Sequence, residues 1–183
     1  MAWPARSHYA HERSLTVGDL YGKRRRMIEN PEEEMKFLDG DRFVCGYVLP
    51  DFQRGHRWTQ EQDVAFVESL ILGHHPGHFK YNSTLNMPFV EIDGRQVSQF
   101  NLWLIDGQQR LTALDSYWAD EFPVFDLYWS EVEVRDQRRL WNMVFPAGEY
   151  QIADYDELVD VYWTLNRGGV PHTDEEMSLA VRR

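Results

Sequence analysis

The chain has 183 residues, of which 43% are apolar and 27% are charged, enough for one ordinary domain with its own core. Its net charge of −11 excludes a generic nucleic-acid coat protein, because an acidic surface repels phosphate backbones. Cys45 is the only cysteine, which excludes an internal disulfide framework and a cysteine-rich zinc site. No stretch approaches the roughly 18 apolar residues of a membrane span. The N-terminus lacks an apolar signal region, so we expect a cytoplasmic protein without a membrane partner.

The first 40 residues are polar, and we predict that they form an N-terminal extension to one domain over residues 41–183. The basic run KRRR at 23–26 has two interpretations: a nucleic-acid contact or, more commonly, a solvated face. Asn30 and Pro31 predict the start of a short helix, because they suit the N-cap and the first helical position.

The central part of the chain alternates predicted strands and helices. Residues 43–49 predict a strand, and Thr59 with Gln62 forms a capping box for a helix that Gly73 ends. Residues 74–87 read as a loop. A strand at 88–92, the turn Asp93-Gly94 and a returning strand at 97–105 predict a hairpin.

The remaining elements complete a mixed pattern. A helix follows residue 106, a strand is predicted at 124–129, and residues 136–145 are either helical or irregular. Helices are predicted at 155–165 and after Thr173. We therefore predict an α+β fold, a small mixed sheet with flanking helices.

The segment DGQQR at 106–110 carries the strongest chemical signal, because an apolar strand leads into a glycine turn and then a helix. Free N–H groups in the first turn of a helix favour anions, and Gly107 permits close backbone approach. Asp106 suits a metal or a water, Gln108 and Gln109 suit a nucleophile, and Arg110 suits phosphate charge. The alternative is a helix that Asp106 merely caps.

Two further segments could contribute to the same chemistry. The segment PDFQRGHRW at 50–58 presents Gln53, Arg54 and the flat ring of Trp58, or is only a pinned loop. Asn166 stands at a helix end before two glycines, which also fits a plain C-cap. His56 is a possible general base beside the first segment. The histidines in HHPGH at 74–78 lack a fourth ligand, which disfavours zinc.

Together these segments resemble the GmrS-type ParB-like domain family of bacteria and phages, whose hallmark is a DGQQR motif. Three patterns carry the resemblance, and they match Pro50, Phe52, Gln53, Arg54 and Trp58; Ile105 to Thr112 with Leu114; and Asn166, Gly168, Gly169, Pro171 and Glu176. The resemblance spans about residues 47–178. It implies a compact fold of the ParB/sulfiredoxin superfamily.

The resemblance also implies a function in phosphoryl chemistry, either hydrolysis of a nucleoside triphosphate or phosphoryl transfer, linked to phage or bacterial DNA modification or restriction. Asp106, Gln108, Gln109 and Arg110 would be catalytic, with Asp106 also holding Mg²⁺. Nucleotide or phosphate contacts would come from Gln53, Arg54, Trp58, Gly107 and Asn166.

Two alternatives stay open from the sequence alone. The same pocket could sense a nucleotide or nucleic acid while a partner protein performs the chemistry. Alternatively, the domain could be a Mg²⁺-dependent DNA nuclease, although no HNH-like nuclease segment is present in these 183 residues.

Overall fold

The computed structural model describes residues 9–166, and these residues form a mixed α+β domain, as predicted. The described elements, in chain order, are β1 (His11–Thr16), α1 (Val17–Glu29), α2 (Pro31–Met35), β2 (Phe43–Val44), β3 (Tyr47–Val48), α3 (Gln60–Ile71), β4 (Phe79–Asn82), β5 (Val90–Ile92), β6 (Arg95–Val97), β7 (Leu104–Asp106), α4 (Gln108–Trp118), α5 (Val134–Trp141), β8 (Val144–Tyr150) and α6 (Tyr155–Asn166). A short 3-10 helix spans Trp129–Glu131. No helix within residues 9–166 is long and apolar enough to cross a bilayer.

The main sheet has four strands in the order β1-β8-β4-β7. The central pair, β8 and β4, is parallel, and both outer pairings are antiparallel. Lys80 on β4 is the register partner of Asp106 on β7. Since Asp106 is the last residue of its strand, this edge of the sheet leads directly into the DGQQR turn.

The sheet has a hydrophobic core on each face. Successive residues of a strand point to opposite faces, so Leu104 belongs to one core and Ile105 to the other. The first core packs the sheet against α3 and α4, and includes Phe79 and Leu111. The second core includes Tyr162 of α6. Helices on both faces therefore fix the end of β7 from two sides.

Residues 11–29 contribute a strand and a helix to this body. Thr16 caps α1 through a capping box with Asp19, and the next turn buries Val17 and Leu20 almost completely. The predicted division of the chain at residue 40 is not tested by this arrangement and stays a prediction.

Each cation of the basic run at 23–26 has an intramolecular partner. Arg24 Nε lies 2.6 Å from Asp115 Oδ1, and the Lys23 ammonium lies 4.2 Å from the centre of the Tyr47 ring. Arg25 and Arg26 form ion pairs of 3.4 Å and 3.3 Å with Glu29 and Glu34. These contacts favour a structural interpretation of the run over a nucleic-acid contact.

Four sequence-based element predictions are wrong. Residues 43–49 form a hairpin, β2 and β3, because Cys45 and Gly46 adopt positive φ angles of 48° and 76° and reverse the chain. Residues 74–87 contain β4. The predicted returning strand over 97–105 is interrupted, because β6 ends at Val97 and β7 begins only at Leu104, with positive φ angles of 59° and 57° at Phe100 and Leu102 between them. The helical option for 136–145 is confirmed by α5, and β8 after it was missed because its Pro and Gly usually mark strand breaks. Val124 and Leu127 pair with each other across a tight turn, so 124–129 is not a strand.

The other predicted helices are confirmed. Pro31 begins α2 after Asn30, the Thr59–Gln62 capping box begins α3, and α4 and α6 occupy the expected segments. The predicted helix after Thr173 lies outside the described residues, as do Gly168 to Pro171.

Candidate functional site

A pocket of about 170 Å³ opens where β7 ends and α4 begins, and we call it the DGQQR pocket because residues 106–110 line it. The structure brings all nine sequence-predicted site residues to this pocket: Gln53, Arg54, Trp58, Asp106, Gly107, Gln108, Gln109, Arg110 and Asn166. Ile105 and Tyr162 complete the lining. Three segments that are remote in sequence therefore share one cavity, although their chemical roles stay predictions.

Gly107 shapes the floor of the pocket. Its φ angle of +98° lies in the left-handed region, and a Cβ atom there would stand 2.5 Å from the Phe79 Cβ. Gly107 is also the N-cap of α4, and no side chain of the described residues caps this helix. The alternative in which Asp106 caps the helix is therefore wrong. The first-turn N–H groups stay available to an anion.

Arg110 is held at the pocket by a loop that the sequence did not link to it. Its Nη1 donates to the Pro76 carbonyl at 3.1 Å, and its Nη2 lies 3.6 Å from Asp106 Oδ2. Gly77, at φ +77°, leaves room for the guanidinium, which a Cβ would strike. Burial lowers the pKa of Arg110 below its usual value, and Asp106 opposes this shift. The group stays cationic because an arginine guanidinium does not deprotonate in proteins.

Arg54 reaches the pocket from the loop before α3, residues 50–58, which we call the Arg54 loop. No hydrogen bond or ion pair joins its guanidinium to another of the residues 9–166. The neighbouring Gln53 is 5% exposed, and its Nε2 donates to the Leu104 carbonyl at 2.7 Å. This bond attaches the loop to β7. Gln53 thus positions the loop, and Arg54 is left free to meet a ligand.

The two glutamines at the start of α4 have different surroundings. Gln109 Oε1 accepts the backbone N–H groups of Arg57 and Trp58, at 2.7 Å and 3.1 Å. Gln109 therefore ties the loop before α3 to α4. The Gln108 side chain lines the pocket, and no hydrogen bond to the rest of residues 9–166 occupies its amide. Of the pair, Gln108 is the one whose amide can orient a water or a ligand oxygen.

Asp106 sits between two cations. Its Oδ2 lies 3.6 Å from Arg110 Nη2 and 3.9 Å from Lys80 Nζ. Sequence analysis missed Lys80 because β4 was taken for a loop, and nothing in the sequence linked it to Asp106. Because residues 74–87 were taken for a loop, the contacts of Pro76 and Gly77 with Arg110 were also missed. The one sequence feature that marks these two residues is a Pro-Gly turn within a histidine-rich segment.

The residues near Asp106 limit how a metal ion could bind. No group of three or more His, Cys, Asp or Glu side chains within residues 9–166 could hold a metal by itself. Mg²⁺ usually binds through one or two carboxylates together with substrate phosphates and waters. Asp106 supplies one carboxylate, so the described residues fit a Mg²⁺ ion that arrives with phosphate, and they do not form a closed metal cage.

His56 lies outside the pocket. Its Nε2 stands 2.9 Å from Asp63 Oδ2, at the start of α3. This contact attaches the loop between Arg54 and Trp58 to α3. His56 therefore supports the loop in this structure, and its suggested function as a base remains a prediction.

Comparison with known families agrees with the resemblance noted from the motifs. Residues 35–144, more than half of the chain, match the family described as GmrSD restriction endonuclease, N-terminal domain. The chain belongs to this family. The GmrSD match includes the Arg54 loop, β7 and the start of α4, and it ends before Asn166. No curated protein and no solved structure matches the chain. Membership connects the domain to DNA restriction, and nucleotide chemistry is a separate question.

Proposed function

We propose that this GmrSD-type domain binds a nucleoside triphosphate in the DGQQR pocket and hydrolyses it or transfers its phosphoryl group, in support of restriction. The observation that carries the proposal is that Arg54, Arg110 and the uncapped start of α4 line one small cavity. Guanidinium groups and helix N-termini are both suited to phosphate oxygens. We also propose that the domain belongs to the ParB/sulfiredoxin superfamily. In this proposal the DGQQR motif is the part of the domain that binds the nucleotide.

The size of the pocket suggests how the nucleotide would lie. About 170 Å³ is below the roughly 300–1,000 Å³ of pockets that enclose a whole ligand. The phosphates would fill the cavity, and the base and sugar would extend past its rim. Trp58 and Tyr162 offer aromatic surfaces for a base. The Asn166 Nδ2 already donates to the Tyr162 carbonyl at 2.8 Å, so its amide oxygen is the group offered to the polar edge of the base.

Each side chain of the pocket would have a separate function in the reaction. Arg54 and Arg110 would neutralise charge that develops on the phosphoryl oxygens. Gln108 would orient the attacking water or acceptor hydroxyl, while Gln109 would hold the Arg54 loop in place. Asp106 would hold Mg²⁺ together with phosphate, and the ion would supply further charge neutralisation there.

Hydrolysis of each nucleoside triphosphate by wild type, Arg110→Ala and Arg110→Lys, with and without Mg²⁺, tests this proposal. We expect Arg110→Ala to lower kcat/KM by about 100-fold or more, as for arginines that stabilise phosphoryl transfer. Arg110→Lys would recover only part of this loss, since lysine lacks the planar fork. Unchanged turnover in Arg110→Ala, with an intact fold by circular dichroism, would contradict the proposal.

A second candidate is a non-catalytic module that responds to a nucleotide and passes the signal to a partner protein. The observation in its favour is that Lys80 Nζ and Arg110 Nη2 lie 3.9 Å and 3.6 Å from Asp106 Oδ2, so these cations compete with a metal ion for that oxygen. This candidate predicts nucleotide binding that Arg110→Ala abolishes, with no turnover of any nucleoside triphosphate by wild type. A DNA nuclease has no comparable support among the described residues, whereas membership of a restriction family supports an interaction with DNA.

A further inference from the structure

A second cavity, of about 560 Å³, lies away from the DGQQR pocket and shares no lining residue with it. It is bounded by the C-terminal ends of α3 and α4, by the 3-10 helix and by α5. Its apolar lining includes Ile71, Tyr117, Val124, Trp129, Leu140 and Met143. Its volume falls within the roughly 300–1,000 Å³ typical of sites for organic ligands. Nothing in the proposed phosphoryl chemistry uses this cavity.

The charged residues of this cavity are mainly acidic. Glu131, Glu133 and Asp136 line it, against one cation, Arg139. Glu131 is already used, because its Oε2 accepts the Tyr128 N–H at 2.9 Å. No hydrogen bond or ion pair from within residues 9–166 engages the Glu133 and Asp136 carboxylates. An apolar cavity with two uncompensated carboxylates complements a ligand that has an apolar body and a positive charge.

The turn at the mouth of the cavity presents an aromatic ring. Val124 and Leu127 exchange backbone hydrogen bonds of 2.9 Å and 3.1 Å, and the two residues between them have positive φ angles, 50° at Phe125 and 62° at Asp126. The Phe125 side chain is 49% exposed although it lines an apolar cavity. A ring in this place can contact both an apolar group and a cation, since the face of an aromatic ring attracts positive charge.

We propose that this cavity binds a small organic cation whose apolar body enters between α4 and α5 and whose ammonium or guanidinium faces Glu133 and Asp136. The apolar walls would supply the affinity, and the carboxylates would select the sign of the charge. The proposal is independent of the phosphoryl chemistry at Arg110, because the two pockets share no residue.

A matched series of indole compounds tests both parts of the proposal by calorimetric titration. Tryptamine, tryptophol and indole-3-acetate have the same ring and a positive, neutral or negative tail. We expect the full chain to bind tryptamine most tightly and indole-3-acetate most weakly. The double variant Glu133→Gln, Asp136→Asn should bind tryptamine about three- to tenfold more weakly, in line with exposed ion pairs, and tryptophol unchanged. Glu91→Gln removes an exposed carboxylate on β5 and should change nothing.

A variant at the mouth of the cavity separates binding there from binding elsewhere. Leu127 is 46% exposed, so Leu127→Arg is compatible with folding and places a cation where the ligand would enter. It should abolish tryptamine binding, while Leu127→Ala retains most of it. Equal affinity for the three indoles, or no binding of tryptamine by the wild-type chain, would overturn the proposal. Tryptamine binding that persists in folded Leu127→Arg would also overturn it. Nucleotide hydrolysis in these variants reports separately on the first pocket.

Discussion

The two arginine-rich regions of the domain differ in what surrounds their charges. In the basic run of α1, Arg24 contacts Asp115, and its neighbours contact Glu29, Glu34 and a tyrosine ring. At the DGQQR pocket, Arg54 has no such partner among residues 9–166, and Arg110 shares Asp106 with Lys80. The run that most resembles a nucleic-acid site in sequence is thus largely neutralised, while the isolated arginines keep charge for a ligand.

The comparison shows that local density of charge is a poor guide to anion binding. A cation whose charge is matched by a carboxylate of its own contributes little net field to a phosphate. Arg110 and Lys80, in contrast, share the single carboxylate of Asp106 and leave a net positive charge beside the pocket. Two guanidinium groups from remote segments contribute more when they face one cavity and a helix N-terminus. The following variants test this distinction, beginning with the largest effect expected.

Gly107→Ala should have the largest effect on stability. The added Cβ would meet Phe79 at 2.5 Å, and alanine disfavours φ +98°. We expect a loss of about 2–4 kcal/mol in the free energy of unfolding, from strain and overpacking together. Urea denaturation measures this loss. Gly55→Ala is the matched control, because a Cβ added there would have no neighbouring atom within 4 Å and stability should be unchanged.

Glu149 should make the stability of the sheet depend on pH in acid. Hydrogen bonds from Arg13, and then from Tyr81, lower the pKa of Glu149 to about 2. Its unfolded-state pKa is higher, so its stabilising contribution is present above about pH 4.5 and is lost as the pH falls toward 2. Solvent screens the contact at the half-exposed Arg13, so we expect this contribution to be modest. Glu149→Gln should flatten the pH profile of unfolding over this range; an unchanged profile would contradict the assignment.

Arg24→Ala should destabilise the fold without affecting the pocket. Its partner Asp115 also accepts the Cys45 N–H at 2.6 Å, so the carboxylate would lose one of two close contacts. We expect a loss of about 1–2 kcal/mol, measured by thermal or urea unfolding. Nucleotide affinity should stay the same. Arg25→Ala is the control, since its pair with Glu29 is exposed and should contribute less than about 0.5 kcal/mol. A fall in nucleotide affinity in either variant would contradict the claim that the basic run at 23–26 does not contribute to nucleotide binding.

Gln109→Ala should have the smallest effect on stability, about 1 kcal/mol, because two backbone N–H groups lose one shared acceptor. Its effect should appear in nucleotide affinity, since the Arg54 loop is no longer tied to α4. Gln109→Glu retains an accepting oxygen and should restore the stability, but its negative charge in the pocket should still weaken nucleotide binding. If both variants bound nucleotide as the wild type does, Gln109 would have no positioning function.

The sequence predicted the components of this site better than their framework. The strand, glycine turn and helix around residues 105–111 could be predicted, because an apolar run, a glycine and helical spacing of apolar residues are each visible in the local sequence. The strand β4 could not be predicted, because its sequence FKYN is short and its pairing with β8 is formed only in the folded sheet. Lys80 and the Pro76 carbonyl therefore could not be placed beside Asp106 and Arg110. Long-range contacts of this kind leave no periodic pattern in the chain.

Binding of a non-hydrolysable nucleoside triphosphate by calorimetry, with and without Mg²⁺, tests the central claim most directly. The wild type, Arg54→Ala, Arg110→Ala and Arg25→Ala should be compared at one salt concentration. We predict that Arg54→Ala and Arg110→Ala each weaken binding by about tenfold or more, as expected for a charge-assisted bidentate contact, while Arg25→Ala binds like the wild type. Equal affinity in all four proteins, or a loss only in Arg25→Ala, would contradict the account.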